Sequence, residues 1–499
     1  MNTLAPSADS IRAEILRLTA EYANLVHSRN LPAGHPGRPA HQEGESLPYA
    51  ARVFGPEEVQ AAVGSALDFW LTLGPEGDKM ERDLAKVIGV HKCLLVNSGS
   101  SANLIAVSAL TSHRLPAHKR LRPGDEVITC AAGFPTTVAP ILQNGLIPVF
   151  IDNDPVTGNA QMDQLELAFN PGKTKAVIFA HTLGNPFDLA SCLSFCRKHD
   201  LWLIEDNCDA LGSTYSMPES LALELGLELD KNLTPGIGRL TRMTGAWGDI
   251  STQSFYPPHH LTMGEGGSVN IVNSGLLKSV AESFRDWGRD CWCPSGKDNT
   301  CCKRFGWQLG ELPKGYDHKY IYSHLGYNLK PTDIQAAIGN VQLTRLPAFT
   351  QARKDNWQAL REALAPFAQH VEFSLPTHAA RWATSGFAWD SSGCEAIPSW
   401  FGFMLLVKPG APFSRTDLAR RLDDHKIGNR MLFGGNLVRQ PAFVQLRHDN
   451  PQAFRTPVPL HGADQLMNEA VFVGVYPGGD IKALALGLRH IFATIHRGD

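Results

Sequence analysis

Ser254-Phe-Tyr-Pro-Pro-His-His-Leu-Thr-Met-Gly-Glu-Gly-Gly267 is the stretch on which the reading of this 499-residue chain turns. The run Ile250 to Tyr256 leading into it reads as a strand, and Pro257 and Pro258 end regular pairing because neither carries a backbone N–H. Two histidines then stand on a turn, and the glycines after them let the backbone fold back tightly. Such a turn displays side chains rather than burying them. His259 is therefore a candidate for acid/base work, because an unperturbed imidazole titrates at about pH 6.5. The plainer alternative is a pair of surface histidines.

Upstream, Leu201-Trp-Leu-Ile-Glu-Asp-Asn-Cys-Asp-Ala210 reads as a buried strand running into acids. An acid at the C-terminal end of a strand in an open α/β sheet is well placed to face a ligand, which singles out Asp206; capping of the next turn is the alternative. Earlier still, Cys93-Leu-Leu-Val-Asn-Ser-Gly-Ser-Ser-Ala-Asn103 takes a short apolar strand into a Ser/Gly turn and then a helix. Free backbone N–H groups at a helix N-terminus, with the positive end of the helix dipole, favour an anion, so Gly99, Ser100 and Ser101 form a candidate anion site. Ordinary helix capping would use the same residue types. A strand over Asp125 to Ala131 ends in Ala-Gly-Phe-Pro-Thr-Thr, where Phe134 offers a flat apolar face to a ring or to the core. Further strands at Pro148 to Asp152 and Ala176 to His181, with helix patterns between, predict an α/β domain with a mainly parallel sheet.

The chain is longer than one hydrophobic core usually supports, so two domains are expected. Residues 1–52 read as a helix, Ile11 to Val26, and an extended Pro/Gly/His-rich arm without chemistry of its own. Residues 53–345 form the large α/β domain, opening with helices at Glu57 to Thr72 and Asp78 to Ile88; a long helix from about Gln342 leads into a small C-terminal α+β domain, 346–499. Forty-six basic against 49 acidic side chains leave no excess for nucleic acid or an anionic membrane, so a small-molecule site is the default. The N-terminus lacks the basic start and apolar core of a signal peptide, and no apolar run reaches bilayer length; a cytoplasmic protein is expected.

Ten cysteines in such a chain are not a disulfide framework. Arg289-Asp-Cys-Trp-Cys-Pro-Ser-Gly-Lys-Asp-Asn-Thr-Cys-Cys-Lys303 places Cys291, Cys293 and Cys301 as C-x-C-x7-C in a polar loop, which points to metal. Zinc and an iron–sulfur cluster both accept four thiolates, and spacing does not choose between them. Cys93, Cys130, Cys192, Cys196 and Cys394 read as buried small hydrophobes.

These motifs, in this order from about Val53 onward, resemble the DegT/DnrJ/EryC1/StrS family of sugar aminotransferases. The resemblance implies the type I fold of pyridoxal-phosphate (PLP) transferases, aspartate aminotransferase-like, with a phosphate turn at Gly99 to Ser101, Phe134 stacked on the pyridine ring and Asp206 on its nitrogen. In the family, Ser-Phe, three residues and then a Schiff-base Lys precede Gly-Glu/Asp-Gly-Gly. Here Ser254 is in place and His259 stands where the Lys should be, which removes the Schiff base and resembles the subset that uses pyridoxamine phosphate (PMP) to dehydrate sugars at C-3. That subset further implies a [2Fe-2S] cluster on Cys291, Cys293 and Cys301 with Cys208 as fourth ligand, Cys302 being the rival. It also implies an NAD(P)H-dependent flavin reductase partner and an NDP-4-keto-6-deoxyhexose substrate, CDP-4-keto-6-deoxy-D-glucose in particular. Gly326-Tyr-Asn-Leu-Lys330 matches a stretch that leads into a helix, here beginning near Pro331, and whose Asn reaches the phosphate of the neighbouring subunit, so Asn328 implies a homodimer. Arg430 resembles a substrate-side loop residue that would pair with a diphosphate, or it makes a surface ion pair. Residues 214 to 247 look inserted relative to the family, a surface excursion with a short helix from Ser220 to Leu229. The alternatives are a cluster-free dehydratase, a plain aminotransferase, which His259 opposes, and a non-catalytic binding protein with zinc in its loop.

Overall fold

Trp202–Asp206, buried along its whole length, is the fourth strand of a seven-stranded sheet. The structure is a computed structural model that describes residues 7–229, 238–293 and 299–495. The sheet order is Lys92–Val96, Gly267–Ile271, Ile250–Ser254, Trp202–Asp206, Thr174–Ala180, Glu126–Cys130, Ile147–Ile151. The last five run parallel. Gly267–Ile271 alone is reversed against both of its neighbours. The cause is the short connection through His259, since only antiparallel neighbours can be joined without a crossover. Apolar side chains fill both faces of the sheet, as an α/β domain covered by helices on both sides requires. The expected fold class is the observed one.

The helix Asp333–Ala363 spans the expected domain boundary at 345; it starts two residues after the helix start expected near Pro331 and runs on without a break through the long helix expected from Gln342. It leads to a small domain around an antiparallel sheet ordered Val371–Phe373, Gly402–Val407, Ala470–Gly474, Asn429–Met431. The N-terminal helix Ala8–Val26 starts three residues earlier than predicted, where Ser7 caps it by accepting from Ser10 N–H. The arm after it is tied down, with Leu47 bridged to Ile427 and the Ala33 N–H donated to the Pro477 carbonyl.

The described part of residues 214 to 247 is not a surface excursion. Thr214–Pro218 pairs with Arg239–Met243, and Glu395–Ile397 from the far side of the chain adds a third strand. The helix between is Glu219–Glu224, shorter than expected, and Tyr215, Met217, Ala222, Leu225 and Leu227 are buried in the core behind the main sheet. Residues 230–237 of this segment lie outside the described residues.

Candidate active site

The C-terminal ends of the parallel strands open onto a pocket of about 490 Å³. Asp206 and Ser254 reach it as the last residues of their strands, Gly99 and Ser100 as the first turn of the helix Gly99–Ala109, and Phe134 as the N-cap of Pro135–Gln143. The small domain closes the other side with Phe401, Arg430, Phe433 and Phe472, and the arm adds Tyr49. A larger cleft of about 910 Å³, which includes Lys119, Arg197 and Trp247, contains none of these residues.

Asp206 is almost fully buried, and its carboxylate is oriented by donors: Asn103 Nδ2 at 2.9 Å and Thr137 Oγ1 at 2.7 Å on one oxygen, the Cys208 N–H at 3.2 Å on the other. Phe134 is 52% exposed, with its ring edge-on to Phe433 at 6.1 Å, so its face is free for a planar ligand. At Gly99 a Cβ would stand 2.6 Å from the Ser254 Cβ and 3.0 Å from the Cys208 sulfur, so glycine is what lets the helix terminus sit against the strand end. Ser98 caps that helix by accepting from Ser101 N–H at 3.1 Å. Ser101 itself donates its hydroxyl to Asn97 and does not line the pocket, so of the predicted turn Gly99 and Ser100 face the ligand space.

His259 lines the pocket with its Nδ1 3.4 Å from an Asp209 carboxylate oxygen and its ring 5.5 Å from that of Phe401. Burial pushes the Asp209 carboxyl up, against the opposing pull of His259 and Arg353. Arg353 is buried and donates from Nη2 to the His259 carbonyl at 3.2 Å and from Nη1 to the Trp400 carbonyl at 3.1 Å; burial brings its pKa down to about 9. His260, paired with His259 in the surface reading, is instead buried, with Nε2 2.7 Å from the Ser399 carbonyl. Among the described residues no lysine lines the pocket.

The residues fit PMP. A helix N-terminus suits its phosphate, Phe134 its ring, and the fixed Asp206 carboxylate its ring nitrogen, while no amine is present to hold an aldehyde covalently. Tyr49, Asp209, Arg353 and Phe401 were missed by sequence reasoning. Asp209 lay inside the quoted acidic motif and was readable; the other three reach the site by tertiary packing alone. The arm, read without chemistry of its own, brings Tyr49 to the pocket wall, where the Arg430 guanidinium lies 4.3 Å over its ring. Asn328 is not at the pocket of its own chain; it bridges to Asp286 and accepts from Lys330 Nζ at 3.2 Å.

The expected four-cysteine set is not brought together. Cys208 lines the substrate pocket, and the charges acting on its buried thiol are those of Asp206 and Asp209. Cys291, Cys293 and Cys301 act on one another; burial opposes the Cys293 thiolate, but hydrogen bonds from Thr300 and its fellow cysteines bring its pKa down to about 7. Cys301 lies 3.5 Å from His318 Nδ1. Among the described residues no group of three or more His, Cys, Asp or Glu side chains is placed to hold a metal ion, and residues 294–298 of this loop lie outside them. Exposed Cys302 sits at the loop's edge, and the five cysteines expected in the core are buried there. No helix among the described residues is long and apolar enough to cross a membrane.

The profile of the DegT/DnrJ/EryC1/StrS aminotransferase family matches residues 54–480. The lipopolysaccharide biosynthesis protein RfbH of Salmonella typhimurium is 45% identical over 472 residues, 95% of each chain. The dTDP-4-dehydro-2,6-dideoxy-D-glucose 3-dehydratase of Saccharopolyspora spinosa is 44% identical over 450 residues, 88% of this chain and 87% of its own. Among solved structures, E. coli GDP-4-keto-6-deoxy-D-mannose-3-dehydratase with bound hydrated PLP superposes with a TM-score of 0.71 at 23% identity, over 89% of this chain and 99% of that one.

Proposed function

The chain belongs to the DegT/DnrJ/EryC1/StrS aminotransferase family, and from that premise we propose that it is a PMP-dependent nucleotide-sugar 3-dehydratase of deoxysugar and lipopolysaccharide biosynthesis. Its substrate is an NDP-4-keto-6-deoxyhexose, with CDP-4-keto-6-deoxy-D-glucose as the specific assignment. The observation that carries this reading is His259, an imidazole against Asp209 at the place of the family's lysine. Two relatives above 40% identity point the same way, one named for lipopolysaccharide biosynthesis and one a sugar 3-dehydratase.

When bound, the cofactor supplies an amine to attach the C-4 ketone and a ring to draw off electrons. Gly99 and Ser100 bind its phosphate at the helix terminus, Phe134 shields one face of the ring from water, and Asp206 holds the ring nitrogen. His259 takes the proton from the carbon that bears the amine and delivers it to the departing C-3 hydroxyl, which leaves as water. Asp209 keeps the imidazole oriented through both transfers. Arg430, held over Tyr49, meets the substrate's diphosphate.

Replacing the lost C–O bond by C–H requires two electrons; a [2Fe-2S] cluster fed by an NAD(P)H-dependent flavin reductase would supply them, with Cys291, Cys293 and Cys301 as its ligands and Cys208 as the fourth only if the loop closes on it, which the described arrangement does not do. The spacing and the thiolate-prone Cys293 support this; the position of Cys208 in the pocket favours the second reading, a cluster-free dehydratase that renews PMP from glutamate. In a homodimer, Asn328 would reach the phosphate of the neighbouring chain.

Protein purified without oxygen and loaded with PMP tests the assignment. Release of tritium from the cofactor's C4′ on adding the CDP sugar is expected, and its absence with every NDP-4-keto-6-deoxyhexose tried would overturn the dehydratase. About two iron and two sulfide per chain, with a reduced-cluster EPR signal after dithionite, separates the first reading from the cluster-free one.

A further inference from the structure

His259 lines two cavities, the substrate pocket and a separate one of about 10 Å³ whose other walls include His260, Thr262, Gln342, Phe349 and Arg353. Three of the side chains around the small cavity each carry a buried polar atom that makes no close hydrogen bond within the protein: Nδ1 of His259, whose Asp209 neighbour stands off at 3.4 Å, Nδ1 of His260 and Nε of Arg353. Buried polar groups are almost always satisfied, so three such atoms around one small space call for a common cause.

Their chemistry is complementary. His260 Nε2 lies 2.7 Å from the Ser399 carbonyl and must donate to it, which makes His260 Nδ1 a bare acceptor on a ring that burial keeps neutral. Arg353 Nε–H can only donate, and its two other nitrogens are engaged by backbone carbonyls. A cavity of this size holds about one water, provided that two to four polar groups receive it. A water placed here would accept from Arg353 Nε–H and donate to His260 Nδ1, with a second lone pair left for a hydrogen from His259 Nδ1. At 3.4 Å the Asp209 contact leaves room for that second acceptor.

We infer that this cavity is a built water site, and that its water, as a second acceptor beside the Asp209 carboxylate, helps keep the hydrogen of neutral His259 on Nδ1, leaving Nε2 as the bare nitrogen that takes the substrate-side proton. His260 and Arg353 are then positioning residues of the reaction, acting through the water. The inference rests on the reading of His259 as the acid/base.

A high-resolution crystal structure of the PMP-loaded protein should show an ordered water within hydrogen-bond distance of both Arg353 Nε and His260 Nδ1. Nitrogen-15 NMR of histidine-labelled protein should find the His259 hydrogen on Nδ1. In His260→Phe, which fills the cavity, the Nε2–H tautomer should rise and C4′ tritium release should fall about tenfold at unchanged substrate KM. Loss of a purely structural contact would not move the tautomer. A dry or collapsed cavity, or an Nε2–H tautomer in the wild type, overturns the inference even if turnover is normal. Water and tautomer as stated, but with no tritium release from any sugar, would leave the site standing and sink the dehydratase reading instead. If His260→Phe does not fold, the two wild-type measurements decide.

Discussion

His259 Nδ1 and Asp209 Oδ1 stand 3.4 Å apart at the wall of the substrate pocket, the carboxylate on the loop after the central strand and the imidazole on the hairpin turn after its neighbour. Two adjacent parallel strands thus deliver the base and the group that orients it. Asp209→Asn keeps the volume but offers an N–H toward Nδ1, which favours the wrong tautomer. The expected loss in kcat is about 10²-fold, with PMP affinity unchanged. Equal losses in PMP affinity would show that Asp209 serves the fold of the pocket instead.

His259→Asn removes the proton carrier and leaves the cofactor's contacts in place. C4′ tritium release should drop by about 10²- to 10⁴-fold while PMP still binds in equilibrium titration. His259→Lys, with PLP added, should instead produce visible absorption from a covalent link to the new amine. A colourless His259→Lys protein that still binds PLP would place residue 259 away from the cofactor.

Thr137 and Asn103 both donate to one oxygen of Asp206, at 2.7 and 2.9 Å. Thr137→Val deletes one donor at nearly constant size. The buried carboxylate then loses about 1.5–3 kcal/mol of charged hydrogen bonding, part of which should appear as a lower melting temperature and part as weaker PMP binding. An effect on stability alone, with PMP affinity untouched, would argue that Asp206 does not meet the ring nitrogen.

Gly99→Ala drives a Cβ to 2.6 Å from that of Ser254. Either the helix terminus or the strand end must move, a strain of about 1–3 kcal/mol, and the phosphate end of the pocket moves with it. Urea unfolding with and without PMP should show lower stability in both states and a smaller gain from the ligand. A full ligand gain would mean that the phosphate is held elsewhere.

Much of this arrangement was legible because strands buried on both faces appear as short apolar runs, and because ligands of open α/β sheets gather at strand C-termini. Asp206 and Ser254 each end such a run, and Phe134 and His259 follow one. What was hidden depends on contacts between distant segments. Thr214–Pro218 is flanked by Pro, Gly and charge and looks like loop, yet it becomes a strand because Arg239–Met243 and Glu395–Ile397 pair with it on either side. Tyr49 reaches the pocket because Leu47 bridges to Ile427, and Arg353 acts on the His259 backbone from a helix that starts twenty residues earlier. The motif that places Cys208 two residues after Asp206 says nothing about where the Cys291 loop comes to rest.

His378 of the small domain joins Asp188 and the Tyr215 hydroxyl of the large one in an ionic cluster that titrates. His378 Nε2 lies 3.4 Å from Asp188 and 2.8 Å from the Tyr215 hydroxyl, while Nδ1 lies 3.1 Å from Asp390. Burial disfavours the imidazolium, but the hydrogen bonds and charges of Asp188 and Asp390 outweigh it and raise the His378 pKa. The same pairing outweighs burial at Asp188 and lowers its carboxyl. A histidine raised on folding contributes stability that is complete below its unfolded value of about 6.5 and is lost as pH climbs through the folded value. The lowered aspartate contributes above its unfolded value of about 3.9 and loses that contribution as pH falls through the folded one. The pair should therefore stabilise most between those limits. The melting-temperature gap between wild type and His378→Gln is expected to be widest near pH 5.5 to 6, a window that lies between about 3.9 and 6.5, and to narrow toward pH 8. A gap that widens as pH rises would mean that His378 is neutral in the folded protein and that Asp188 is held by Tyr215 and the Ser191 N–H instead.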